Sequence, residues 1–164
     1  PKRSTLMAAL ITESWLYAYP TADVAITNWG GMRDQIPAGN ITMADIVSVM
    51  PFNNVLVDLK MTGDQLQRVL LAGRGNPPVG GIHIVGGQWI LNDSGLPLES
   101  DQLYSVLVND FMYAGGDDLT MLAEFDPNAY NTSINWRQPV IDWIEEGSST
   151  IDDPLDAFIE ALIY

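Results

Sequence analysis

The sequence predicts an α+β domain: a mixed β-sheet flanked by α-helices, folded as a single compact domain. Three observations carry this. Apolar runs of strand length at residues 22–27, 55–60 and 103–108 are separated by stretches with helix start signals. Gly86-Gly87 sits between two further strand-like runs and marks a hairpin turn. At 164 residues, 47% of them apolar, the chain is long enough to bury one proper core.

The first helix is capped by Ser4 or Thr5, runs to about Tyr17 and ends before Pro20. Leu6 to Ile11 is apolar on nearly every side, so this helix is expected to be buried on more than one face. Glu13 stands in that apolar setting and needs a partner if buried. Ala22-Asp23-Val24-Ala25-Ile26-Thr27 reads as a strand ending in a loop, and Ile36 to Asn40 as a turn. Thr42 caps a short helix to about Val49, with Ile41 and Ile46 spaced as a hydrophobic staple.

Val55 to Lys60 alternates as a strand. Thr62 and Gln65 then form a capping box flanked by Met61 and Leu66, and Leu66, Val69 and Leu70 supply the inner face. Gly73 to Pro78 breaks the pattern. Residues 79–85 and 88–91 make the hairpin, residues 92–102 are loop, and residues 103–108 form a strongly apolar strand. A helix is predicted over 136–146, with Pro139 in its first turn. Asp153 or Pro154 opens a last helix whose inner face is Leu155, Phe158 and Leu162.

Charge narrows the partners. The formal net charge is −14, from 21 acidic and 7 basic residues. Such a chain repels polyphosphate and anionic lipid at long range, which argues against nucleic acid. A small anion still binds where an arginine dominates the local field. No stretch of 18 apolar residues occurs, so no membrane span is expected. With no cysteine there is no disulfide and no thiolate metal site. His83 lies in the alternation of Ile82 and Ile84 and reads as a strand residue. One histidine without a nucleophile-elbow pattern makes no serine triad, and it is a poor supply for a dinuclear metal centre. No spacing singles out a pair of carboxylates for acid–base work. The residues by themselves thus point to no catalytic or metal-binding residue in this chain.

Three polar loops stand out, and two of them directly follow strands, where ligands collect in sheet-and-helix folds. In Asn28-Trp29-Gly30-Gly31-Met32-Arg33, paired glycines let the backbone turn tightly, and successive free N–H groups in such a turn can form an anion-binding nest; alternatively it is a plain strand-to-loop turn with a surface arginine. Arg33 adds a planar fork of donors suited to phosphate or carboxylate. In the loops at residues 52–54 and 109–117, Phe52 and Phe111 each stand among polar residues or glycines. Two such rings can clamp a flat base; alternatively each plugs the core beneath its loop.

The order Asn-x-Gly-Gly-x-Arg, Pro-Phe-x-Asn, Asn-Asp-Phe-x-x-x-Gly-Gly-Asp closely resembles the C-terminal domain of the 5′-nucleotidase/UDP-sugar hydrolase family. Ala22-Asp23, Pro37-Ala38-Gly39, the segment 59–66 and Gly80-Gly81 resemble it as well, so the likeness covers about residues 4–122. The resemblance implies a substrate-binding domain that holds base and ribose for hydrolysis by a separate N-terminal metallophosphoesterase domain of the same chain, carrying two divalent metal ions. It implies that Phe52 and Phe111 sandwich the base, Arg33 reaches phosphate and Asp117 takes the ribose hydroxyls. It also makes Asn28, Asn54 and Gly81 ligand contacts.

The implied partner is a nucleotide or nucleoside. With no metallophosphoesterase signature and no cofactor of its own, this fragment alone is expected to bind but not hydrolyse. The start Pro-Lys-Arg-Ser, without methionine or apolar leader, reads as a piece of a longer protein. The implied location is extracellular, periplasmic or cell-surface. Alternatives are a 2′,3′-cyclic-nucleotide phosphodiesterase domain, a nucleotide-sugar hydrolase domain, or a non-catalytic nucleoside-binding module.

Several positions depart from the family pattern. Trp29 stands where a small residue is usual, Asn53 and Asp118 stand where glycine is usual, and Ala8-Ala9-Leu10 replaces Gly-Asn-Leu. Arg3 is the only candidate near that helix for a further phosphate contact.

Overall fold

Continuous burial along three adjacent strands puts a sheet between two apolar layers. In the computed structural model, which describes residues 5–147, 149–150 and 152–161, the sheet order is β3-β1-β6-β2-β7. The strands are β1 (Val24–Ile26), β2 (Val55–Thr62), β3 (Val79–Gly80), β6 (Leu103–Asn109) and β7 (Tyr130–Asn135), with β4 (Ile82–Val85) and β5 (Gln88–Leu91) forming a separate hairpin. Only β1 and β6 run parallel; the other pairs are antiparallel, so the sheet is mixed as expected.

Strand periodicity sorts the core into its two layers. Val24, Ile26, Val106 and Val108 face one side with Leu66 and Val69 of α3 (Gly63–Leu70). Ala25 and Leu107 face the other, against Leu10, Ile11 and Trp15 of α1 (Thr5–Ala18), Ile46 of α2 (Met43–Val49) and Val140 of α6 (Gln138–Gly147). Helix α1 is therefore covered by sheet and helices together, which accounts for its all-round apolar sequence. Thr42 and Thr62 both make full capping boxes, with Asp45 and Gln65 as the reciprocal partners. Asp58, buried within β2, is compensated by the Ser105 hydroxyl at 2.6 Å and the Lys60 ammonium at 3.1 Å.

The sequence reading needs correction at residues 79–85, expected as one strand of the hairpin but broken at Gly81 (φ 85°) into β3 of the main sheet and β4 of the hairpin, and again in its last third. The helix expected from residue 136 begins at Gln138, because Trp136 is a fully buried core residue whose ring packs 6.4 Å from that of Trp15. Pro139 does fall in the first turn. In the last helix, α7 (Leu155–Glu160), the buried residue is Ile159; Phe158 is half-exposed and lies against Trp143, with ring centroids 5.2 Å apart. Ser4, Arg3 and Leu162 lie outside the described residues. Strand β7 and the short helices α4 (Asp110–Tyr113) and α5 (Met121–Phe125) were not expected. The strand is polar, largely exposed and bulged, with Ser133 at φ 59°, so it lacks the alternation that marks a strand.

Glu13 tests the packing of α1. Burial raises its carboxyl above the usual range, opposed by a hydrogen bond from the backbone N–H of Gly81. A folded-state value raised above the unfolded one means that stability is lost as pH climbs from the unfolded value toward the folded one. Glu13→Gln keeps an acceptor for Gly81 and removes the charge. It is expected to raise the thermal midpoint at pH 7, with the gain vanishing below about pH 4; thermal unfolding at the two pH values checks this.

Candidate functional site

Sheet register gathers the three polar loops at one end. In the parallel pair β1/β6, Ala25 lies opposite Leu107; in the antiparallel pair β2/β6, Leu56 lies opposite Asn109. The chain therefore leaves β1 and β6, and enters β2, at the same edge. Residues 28–33, 50–54 and 110–118 fill that edge.

Side-chain hydrogen bonds lock the loops together. Asn28, nearly buried, donates through Nδ2 to Asp117 Oδ2 at 2.8 Å and accepts at Oδ1 from Asn109 Nδ2 at 2.9 Å. Asn109 in turn caps α4, accepting from the Met112 N–H at 2.9 Å. Asn54 Nδ2 donates to Asp110 Oδ1 at 2.7 Å, tying the Phe52 loop to the Phe111 loop. Asp117 takes a left-handed backbone, φ 55°, which turns the chain back after Gly115 and Gly116.

Neither phenylalanine is a core plug. Phe52 is 42% exposed and Phe111 48% exposed, although each sits close in sequence to a strand with buried residues. The Phe111 ring rests against Gly116, where a Cβ would come within 2.3 Å of it. A side chain at that position would push the ring aside. The Arg33 guanidinium stands 5.1 Å from the centroid of the Phe52 ring. Among the described residues no carboxylate pairs with it. This edge thus offers two exposed rings, an arginine free to meet an anion, and a carboxylate and amides held at fixed positions.

Gly81 does not join this edge. It lies at the opposite end of β1, beside Asp23 and Val24, with φ 85°. A Cβ there would sit 2.4 Å from the Asp23 carbonyl oxygen, so close packing alone accounts for the glycine. The glycine segment that does join is 73–76, which sequence reasoning passed over as a break between elements. Trp29 Nε1 donates to the carbonyls of Gly75 (3.1 Å) and Asn76 (3.0 Å), and Arg74 Nε pairs with Asp118 at 3.1 Å.

Sequence reasoning also missed the anchor beneath the Phe52 loop. Trp136 Nε1 donates to the Phe52 carbonyl at 2.9 Å, and the Trp136 N–H to the Asn54 carbonyl at 3.1 Å. Asn135 and Arg137 bond Asn53 Oδ1 and the Met50 carbonyl on either side. The Trp136 ring also abuts Gly31 of the first loop, where a Cβ would lie 3.0 Å from it. The signal available was a lone tryptophan between a polar stretch and a helix.

Among the described residues no group of His, Asp or Glu side chains could hold a metal ion, and no helix is long and apolar enough to cross a membrane. A large concavity of about 970 Å³ lies away from the loops, between α1, residues 35–41 and the last two helices.

The loops of this α+β domain thus gather two exposed rings, an arginine and a fixed carboxylate at one end of the sheet. The chain belongs to the family described as 5′-nucleotidase, C-terminal domain, which matches residues 1–124. It is 33% identical over 124 residues to the trifunctional nucleotide phosphoesterase protein YfkN of Bacillus subtilis, covering 63% of this chain and 8% of that one. It is 30% identical over 146 residues to protein UshA of Yersinia enterocolitica, covering 83% of this chain and 26% of that one. Among solved structures it resembles a 5′-nucleotidase precursor from Thermus thermophilus, with a TM-score of 0.76 and 26% identity over 88% of this chain and 33% of that one. The chain thus spans a third or less of each of these relatives.

Proposed function

We propose that this domain binds the base and ribose of a nucleotide and presents its phosphate to a separate hydrolytic domain of a 5′-nucleotidase-like phosphohydrolase. One observation carries the reading: Phe52 and Phe111 stand exposed on loops tied to each other by Asn54 and Asp110, with Arg33 against one ring and Asp117 beside the same loops. Exposed aromatic rings on braced loops are stacking surfaces, and stacking of a base contributes about 1–3 kcal/mol.

In this reading Phe52 and Phe111 hold the base and Asn54 lies beside it. Arg33, with no carboxylate partner among the described residues, takes phosphate. Asp117, fixed by Asn28, accepts the vicinal ribose hydroxyls. Gly81 has no part in it. Cleavage of the phosphate ester, and the two divalent metal ions that would serve it, fall to the other domain; this chain's residues bind and orient. A location outside the cytoplasm is part of the same proposal.

Calorimetric titration with adenosine, 5′-AMP and UDP-glucose tests it. Saturable heat with the nucleoside and a tighter Kd for 5′-AMP are expected. The tighter binding should weaken with added salt as the Arg33–phosphate attraction is screened. Absence of binding by all three at millimolar concentration would remove the proposal.

A further inference from the structure

The C-terminal turns of α1 and α6 come together: the Tyr17 hydroxyl donates to Glu146 Oε2 at 2.8 Å. A cavity of about 250 Å³ opens beside them and shares no lining residue with the polar loops at the sheet edge. Three aromatic side chains line it: Tyr17, Trp143 and Phe158. The Trp143 and Phe158 ring centroids stand 5.2 Å apart with the planes at 46°, so the two rings make adjoining walls rather than a stack. Phe158 is 52% exposed and Tyr17 60% exposed, which leaves ring surface open to a ligand.

The charge around this cavity has one sign. Glu146 and Asp153 line it, and among the described lining residues there is no lysine or arginine. Two helix ends add to the negative potential. Carbonyls at a helix C-terminus form the negative pole of the macrodipole, where basic residues are favourable and acidic ones are not. Neither α1 nor α6 has a basic residue in its last turn, and α6 closes on Glu145, Glu146 and Gly147. A cation in the cavity would offset this potential. Aromatic faces attract a cation without offering it hydrogen-bond acceptors, so they suit one that has no N–H to satisfy.

We infer that Tyr17, Trp143 and Phe158 form an aromatic cage for a quaternary ammonium group, with Glu146 and Asp153 supplying the opposite charge at its rim. The cage is a second site on the domain and stands apart from the nucleotide reading. Its ligand is a free trimethylammonium compound of the choline kind. A phosphocholine group would bring its phosphate against the same two carboxylates.

The test is proton NMR titration of the full chain with choline, with phosphocholine and with dimethylbutanol, the uncharged carbon isostere of choline. Saturable binding of choline at millimolar concentration is expected, about tenfold or more tighter than the isostere and about threefold or more tighter than phosphocholine. Phe158→Leu keeps apolar volume and removes a ring; it should weaken choline about threefold or more and leave the isostere nearly unchanged. Glu146→Gln keeps an acceptor for Tyr17 and should weaken choline about twofold or more. Both positions are exposed, so both variants should hold the wild-type thermal midpoint. Nuclear Overhauser effects from the choline N-methyl protons to the Trp143 and Phe158 rings are expected, and adenosine should not displace choline. Absence of saturable choline binding, equal or tighter binding of the isostere or of phosphocholine, wild-type affinity in both variants, or displacement by adenosine overturns the cage. None of these results bears on base binding at Phe52 and Phe111.

Discussion

Trp136→Ala is expected to lower the stability of the domain by about 3–5 kcal/mol, the usual cost of emptying a core site of its largest side chain. The ring is 1% exposed and packs on Trp15 and against Gly31, so little around it can collapse into the space. Its loss also strands the Phe52 carbonyl, which accepts from Nε1. Trp136→Phe separates the two effects. It fills most of the volume but leaves that part-buried carbonyl without its donor, a cost of about 1–3 kcal/mol. It should also loosen the loop carrying Phe52 and Asn54 and so weaken ligand binding. Denaturant unfolding checks the first expectation. A Trp136→Ala loss below about 1 kcal/mol would show that the tryptophan does not brace the two loops.

Phe52→Ala and Phe111→Ala are each expected to weaken nucleoside binding by about 1–3 kcal/mol, a loss of roughly fivefold to a hundredfold and more in Kd. Both rings are nearly half exposed, so their removal should cost little stability, and unfolding midpoints near the wild type are the control. Phe52→Ala should act more strongly on 5′-AMP than on adenosine, because the Arg33 guanidinium loses the ring it stands against. Titration of the two ligands into the two variants reads both effects. If both variants bind as the wild type does, the rings have no part in recognition.

The parts of the fold legible in the sequence were those fixed by local chemistry. The capping boxes at Thr42 and Thr62 are written in side chains three residues apart, and both formed. The apolar strands β1, β2 and β6 are central or nearly so, and burial on both faces shows as dense apolar composition. Strand β7 stayed hidden because an edge strand with an exposed, bulged backbone needs no apolar pattern. Trp136 read as helix because nothing local separates a core anchor from the first residue of the helix that follows it. At the candidate site, Phe52 and Phe111 were legible as rings among polar residues and glycines, and Arg33 as a fork of donors closing a glycine loop; Asn28, Asn54 and Asp117 came only from the family resemblance. Their common edge was not, since it depends on β1 running parallel to β6 and on the register of β2. Gly81 was carried along by sequence likeness and lies elsewhere. The bonds from Trp29 to residues 75 and 76 span more than forty positions, and no local pattern announces such a contact.

The most direct measurement is a set of nuclear Overhauser effects between adenine protons of bound adenosine and the aromatic protons of the full chain, with rings assigned through the Phe52→Ala and Phe111→Ala variants. Contacts from the adenine H2 and H8 protons to both Phe52 and Phe111 are the result expected. Adenine contacts confined to the concavity beside α1 and residues 35–41, or to neither ring, would contradict it.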